Sequence, residues 1–130
     1  MAKLIDTHCH LYLEDFDPEQ ETLWAAAEAS GIDTLLMPNV DLTTVERMHD
    51  FCDRHPAHCF PMMGLHPTSV GADYATVLRQ TEAYLGKRQY CAIGEIGIDL
   101  YWDESFLKEQ KIVFEEQLRW SIAMDLPVAI

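Results

Sequence analysis

Short apolar runs alternate with longer amphipathic stretches along the whole chain, at a period of about 30 residues, the length of one strand–helix unit. Leu4-Ile5, Thr34 to Met37, Phe60 to Met63 and Cys91 to Ile93 read as four strands. Pro127-Val128-Ala129-Ile130 reads as a fifth, with its proline at the tolerated first position. Between them the pattern predicts helices over Pro18 to Ser30, Thr44 to His55, Tyr74 to Leu85 and Phe106 to Met124. Asp17 with Gln20, and Thr43 with Glu46, have capping-box spacing, and Ser105 is a candidate cap for the last helix. Gly31, Pro56 and Gly86 supply stops. Leu107, Phe114, Leu118 and Ile122 make the expected buried stripe of the last helix.

Strands that alternate with helices in this way form a parallel α/β sheet. Two architectures fit: a five-stranded doubly wound sheet, or part of a (β/α)8 barrel, which usually needs ~250 residues. Residues 1–130 read as one unit without repeat or linker. Ile130 lies inside a strand pattern with no turn after it, so the expectation is the first half of a longer barrel, about four βα units plus a fifth strand.

Nine basic residues against 22 acidic ones give a net charge of −13. A field of that sign opposes loose tracking along a polyanion. It does not exclude a nuclease, because a bound divalent cation reverses the sign inside a pocket. Cys9, Cys52, Cys59 and Cys91 form no C-x-x-C pair, and no secretory or membrane-spanning segment is visible. The expectation is a soluble, cytoplasmic protein with reduced thiols and no membrane association.

Three motifs carry chemistry. Asp6-Thr7-His8-Cys9-His10 follows the first strand, and on an extended segment Asp6, His8 and His10 share one face. Two imidazoles aimed together suit zinc or a similar ion, with a carboxylate to orient a ring. Gly64-Leu65-His66-Pro67 follows the third strand; its glycine permits an unusual backbone angle and its proline stiffens the loop around His66. Gly94-Glu95-Ile96-Gly97-Ile98-Asp99 follows the fourth, with Glu95 placed to coordinate a cation. Each motif lies just past the C-terminal end of a different strand, where parallel α/β folds place their active sites. The other groups have plainer readings: His49, His55 and His58 as surface residues, Cys9 as buried filler, and Asp103-Glu104 and Glu115-Glu116 as solvated charges.

In order and interval these motifs, together with Gln110-x-x-x-Phe114-x-x-Gln117 and Leu126-Pro127-Val128-Ala129-Ile130, resemble the TatD family of deoxyribonucleases. The resemblance covers essentially the whole chain. It implies a TIM-like barrel and divalent-metal-dependent hydrolysis of phosphodiester bonds, typically in DNA. It further implies that His8, His10 and Glu95 ligate metal (zinc, magnesium or manganese, two ions in a complete protein), and that His66 and Glu95 serve catalysis. Asp6 and Asp99 take supporting roles. Family members continue for more than a hundred residues with further ligands, so an isolated chain of this length is expected to turn over weakly. With open sheet edges it is also expected to self-associate. Hydrolysis of another ester or amide, or a folded half-barrel without turnover, are the alternatives.

Overall fold

The structure, a computed structural model, describes residues 2–130. Strands β1 (Leu4–Asp6), β2 (Ile32–Met37) and β3 (Cys59–Pro61) pair in parallel in the order β1-β2-β3. The sheet is carried on by single parallel bridges, Met63 to Ile93 and Ile93 to Val128. Consecutive segments are therefore neighbours in chain order, as winding of a barrel requires and a switch-point sheet does not. The fourth and fifth segments are shorter than their apolar runs suggest. The two are joined by backbone bonds on either side of these bridges, Ile93 N to Pro127 O at 2.9 Å and Ile96 N to Ala129 O at 3.0 Å.

Helices α1 (Gln20–Ala29), α2 (Val45–Arg54), α3 (Tyr74–Tyr84) and α4 (Leu107–Met124) follow the first four segments. On α2, Val45, Met48, Phe51 and Cys52 face inward and are essentially inaccessible. They meet Leu35 and Met37 of β2 and Trp24 of α1 in one core cluster, each large side chain contributing roughly 1.5–3 kcal/mol. A second cluster joins Leu65, Ile93 and Ile96 to Leu78 of α3 and to Val113 and Trp120 of α4. On the opposite side of the sheet a cavity of about 360 Å³ is lined by residues that include Thr7, His8, Leu36, Met62, Ala92 and Val128. No helix among the described residues is long and apolar enough to cross a membrane.

Several local expectations change. None of the expected capping boxes forms. Asp17 pairs with Arg47, and Gln20 donates to Leu11 O at 3.0 Å. Thr43 donates its hydroxyl to Asp41, and the Ser105 amide donates to Asp103. The buried face of α4 is Gln110, Val113, Gln117 and Trp120, whereas Ile122 is 80% exposed. His49, His55 and His58 are half-buried instead of lying on the surface: His49 bonds the Tyr90 hydroxyl at 3.0 Å, and Trp24 packs against both other rings. The ends anticipated for α1 and α2 hold better, Gly31 adopting φ 94° after α1 and Pro56 lying just beyond α2.

Gly64 is not in the left-handed region; it is glycine because the third and fourth segments touch there. A Cβ at residue 64 would sit 2.8 Å from the carbonyl carbon of Gly94, a contact with backbone that cannot rotate away. We expect Gly64→Ala to lower stability by about 1–3 kcal/mol, the range for overpacking a tight interior. Urea denaturation measures it, and an unchanged midpoint would show that the two segments have room to separate.

Candidate metal centre

β1 ends at Asp6, and the chain bends through Thr7 and His8 before Cys9 N rejoins Leu36 O at 3.0 Å. That bend aims both imidazoles across the sheet at the carboxylate delivered by the fourth segment. His8 Nε2 lies 2.9 Å from Glu95 Oε2, His10 Nε2 lies 3.2 Å from the same oxygen, and the two Nε2 atoms are 3.2 Å apart. His66 Nε2 reaches the other carboxylate oxygen, Oε1, at 3.1 Å. The four principal residues expected from sequence thus meet at one carboxylate. Asp6 stands back: its Oδ1 accepts the His8 backbone N–H at 3.1 Å and braces the bend. Asp99 also braces backbone, accepting the Tyr101 amide at 2.9 Å.

The ring tautomers follow from the partners behind them. Tyr12, fully buried, donates its hydroxyl proton to Pro38 O at 2.5 Å, so its oxygen is left to accept from His10 Nδ1 at 3.1 Å. The Nε2 of His10 then carries a lone pair, aimed at Glu95 and His8. Burial also holds the His10 imidazole below its ordinary pKa, outweighing the opposite pull of Glu95. At His66 the order is reversed. The Thr68 amide donates to Nδ1 at 3.1 Å, with the Thr68 hydroxyl at 2.7 Å, so the ring proton sits on Nε2 and points at Glu95. One histidine offers an electron pair to this site and another offers a proton.

Positioning depends on Asn39 and Tyr12, which no sequence motif singled out, and on Gln110 and Gln117 of the motif in the last helix. Asn39, at the end of β2, is fully buried and donates from Nδ2 to Gly64 O and Asp41 O, while its Oδ1 accepts from the Thr44 hydroxyl. Its backbone bonds both sides of the fourth segment, through Gly94 O and Glu95 N at 3.1 Å each. From α4, Gln117 grips Leu65 at both N and O, next to His66, and Gln110 grips Asp99 in the same two-point manner. Asn39 and Tyr12 could have been suspected from position alone, since each follows a strand end as His66 and Glu95 do. The cysteines stay out of the chemistry. Burial raises the Cys9 thiol and pushes Cys52 and Cys59 up to about 12, where no thiolate forms near neutral pH.

The sequence of the TatD-related DNase family matches residues 5–130. The chain belongs to that family. Among curated relatives it is 27% identical over 132 residues to the uncharacterized metal-dependent hydrolase YjjV of Escherichia coli, covering 100% of this chain and 51% of the relative. It is 30% identical over 125 residues to the 3'-5' ssDNA/RNA exonuclease TatD of Cronobacter turicensis, covering 96% and 47%. The crystal structure of the E. coli TatD homologue YjjV superposes with a TM-score of 0.83 at 28% identity, over 96% of this chain and 49% of that one. A TatD-family hydrolase from Entamoeba histolytica shares the fold, with a TM-score of 0.72 at 18% identity, over 98% and 49%. The chain therefore spans about half the length of the family members it matches, and its parallel segments correspond to part of the family's barrel.

Removing the Tyr12 hydroxyl should unfix the His10 ring without touching its Nε2. In Tyr12→Phe we expect His10 to pass from a single Nδ1–H tautomer to a mixture, read from its two ring ¹⁵N shifts near neutral pH. A single unchanged tautomer would show that Tyr12 does not set it.

Proposed function

We propose that His8, His10 and Glu95 bind a divalent metal ion, and that the site they form with His66 hydrolyses phosphodiester bonds, with DNA as substrate. The observation that carries this reading is the convergence of two imidazole nitrogens and one carboxylate oxygen, all within 4.8 Å of one another. His10 Nε2 presents a lone pair toward the Glu95 carboxylate, so the cluster needs either a proton on His8 Nε2 or a metal between these groups. The spacing fits a metal. Ligands bonded at 2.0–2.2 Å and separated by ordinary coordination angles lie about 2.8–3.6 Å apart, and the three contacts here are 2.9, 3.2 and 3.2 Å.

A bound divalent ion supplies Lewis acidity toward a phosphate oxygen and lowers the pKa of coordinated water. The chain's own groups do the rest. His10 is held by Tyr12 in the ligating tautomer, the arrangement that usually stands behind a metal-bound histidine. Glu95 uses its two oxygens in different directions, Oε2 toward His8 and His10 and Oε1 toward His66, which suits it to bridging a second ion. His66 presents an N–H to the same position, a donor for a non-bridging phosphate oxygen. Three protein donors leave coordination positions for solvent, substrate or further side chains. Imidazole favours zinc, while a carboxylate shared with phosphate oxygens also suits magnesium or manganese. The name of the Cronobacter relative, an exonuclease of single-stranded DNA and RNA, supports the substrate class. Four free cysteines fit a reducing compartment, and the cytoplasm is the location we infer.

Elemental analysis and titration calorimetry with Zn²⁺ and Mn²⁺ test the assignment. His8→Ala and Glu95→Gln should each weaken metal binding by at least about tenfold, since each removes a direct ligand. Phosphodiester cleavage should fall with it. Unchanged metal content in His8→Ala would place the ion elsewhere.

A further inference from the structure

Tyr101 and Trp102 are 83% and 80% exposed, and with Ile122 they are the most exposed large hydrophobic side chains among the described residues. They do not dangle. Their rings pack edge to face with centroids 4.8 Å apart, the Tyr101 amide donates to Asp99, and Asp99 is clamped on both backbone atoms by buried Gln110. The pair is thus held out to solvent on a fixed loop, although each ring would gain substantially by burial. Its place is specific. Tyr101 lines the cavity of about 340 Å³ that also contains His66 and Glu95, and Trp102 lines a small one beside Pro67 and Thr68. Among the described residues no lysine or arginine lines either cavity, nor the one that contains His8.

We propose that Tyr101 and Trp102 form a stacking platform for a base of single-stranded nucleic acid whose phosphate occupies the His8–His10–Glu95–His66 site. This deepens the nuclease reading and rests on it. The reasoning is electrostatic as much as geometric. A chain of net charge −13 with no cationic side chain lining the site cavities cannot hold a polyanion by a basic groove. A metal can supply the charge for one phosphate, but not the grip on the strand. Base–aromatic stacking supplies that grip without positive charge and tolerates any base, because every base presents a π-face. It also demands an unpaired base, since a base inside a duplex has both faces covered by its neighbours.

Two probes separate the platform from the phosphate site: a short fluorescein-labelled oligodeoxythymidylate, and an abasic phosphodiester strand of the same length. Both are titrated by anisotropy with Ca²⁺ present. The wild-type chain should bind the base-bearing strand more tightly. Trp102→Ala should weaken that binding by roughly 5- to 140-fold, the range for loss of one stacked base, and leave abasic binding unchanged. Trp102→Phe should retain most of the preference. Because Trp24 and Trp120 are only 3% and 5% exposed, Trp102 dominates what an added strand can quench, and wild-type emission should fall as the oligonucleotide binds. Both side chains are solvent-exposed, so the variants should fold, which circular dichroism checks. A base preference that survives the Tyr101→Ala/Trp102→Ala double variant, or an equal loss for both probes, would overturn the platform while leaving the phosphodiesterase reading intact. Failure of wild type to bind either strand would overturn both.

Discussion

The site depends on one buried amide. Asn39 uses both side-chain N–H donors and its side-chain oxygen inside the protein, and in doing so ties the end of β2 to Gly64, Asp41 and Thr44. Its main chain is bonded on both sides of the Gly94–Glu95 junction. Three consecutive strand ends are therefore fixed relative to one another by a residue that touches no reacting group. β2 contributes no ligand to the rim; it contributes the pin that keeps the neighbouring loops in register. A buried amide is costly unless fully paired, and here full pairing requires that all three strand ends be correctly placed. Satisfaction of Asn39 and assembly of the site are the same event.

Around that pin the electrostatics are arranged by short polar relays. Tyr12 donates its hydroxyl hydrogen bond to a carbonyl and so fixes His10; the Thr68 amide donates to His66 Nδ1 and so fixes the opposite tautomer. Both relays use residues two positions beyond the histidine they orient, which the loop geometry folds back onto it. Glu95 gathers the outcome at one carboxylate. A strongly acidic chain thereby gathers three imidazoles around one carboxylate, a donor set suited to a cation.

Much of this was legible in the sequence, and for a physical reason. His8, His10, His66 and Glu95 each follow an apolar run, and in a parallel sheet all such positions collect on one rim. The order of the segments followed from the same alternation. What escaped depends on long-range partners. Asp17 had capping spacing but found Arg47, thirty residues away, a stronger partner than an exposed amide. On α4, Phe114 and Leu118 pack against the core as their spacing suggests, but the most deeply buried face takes in Gln110 and Gln117, which look polar, and leaves out Ile122, which looks like core. The glutamines are buried because each amide is matched to a peptide group of the loop beneath it. Periodicity detects burial of carbon, and it is blind to burial that is compensated by hydrogen bonds.

Those two glutamines have a further consequence. They stand seven residues apart, two turns of α-helix, about 10.5 Å along its axis. One grips the loop of His66 and the other the loop that follows Glu95. The helix thus acts as a gauge block: a fixed length, machined by the helical repeat, against which two separate loops are set. Its exposed positions between the gripping points can vary, whereas Val113 is held by the core and the residue count is fixed. One inserted or deleted position would turn one amide through about 100° relative to the other, and the two loops would no longer be held to a common scale.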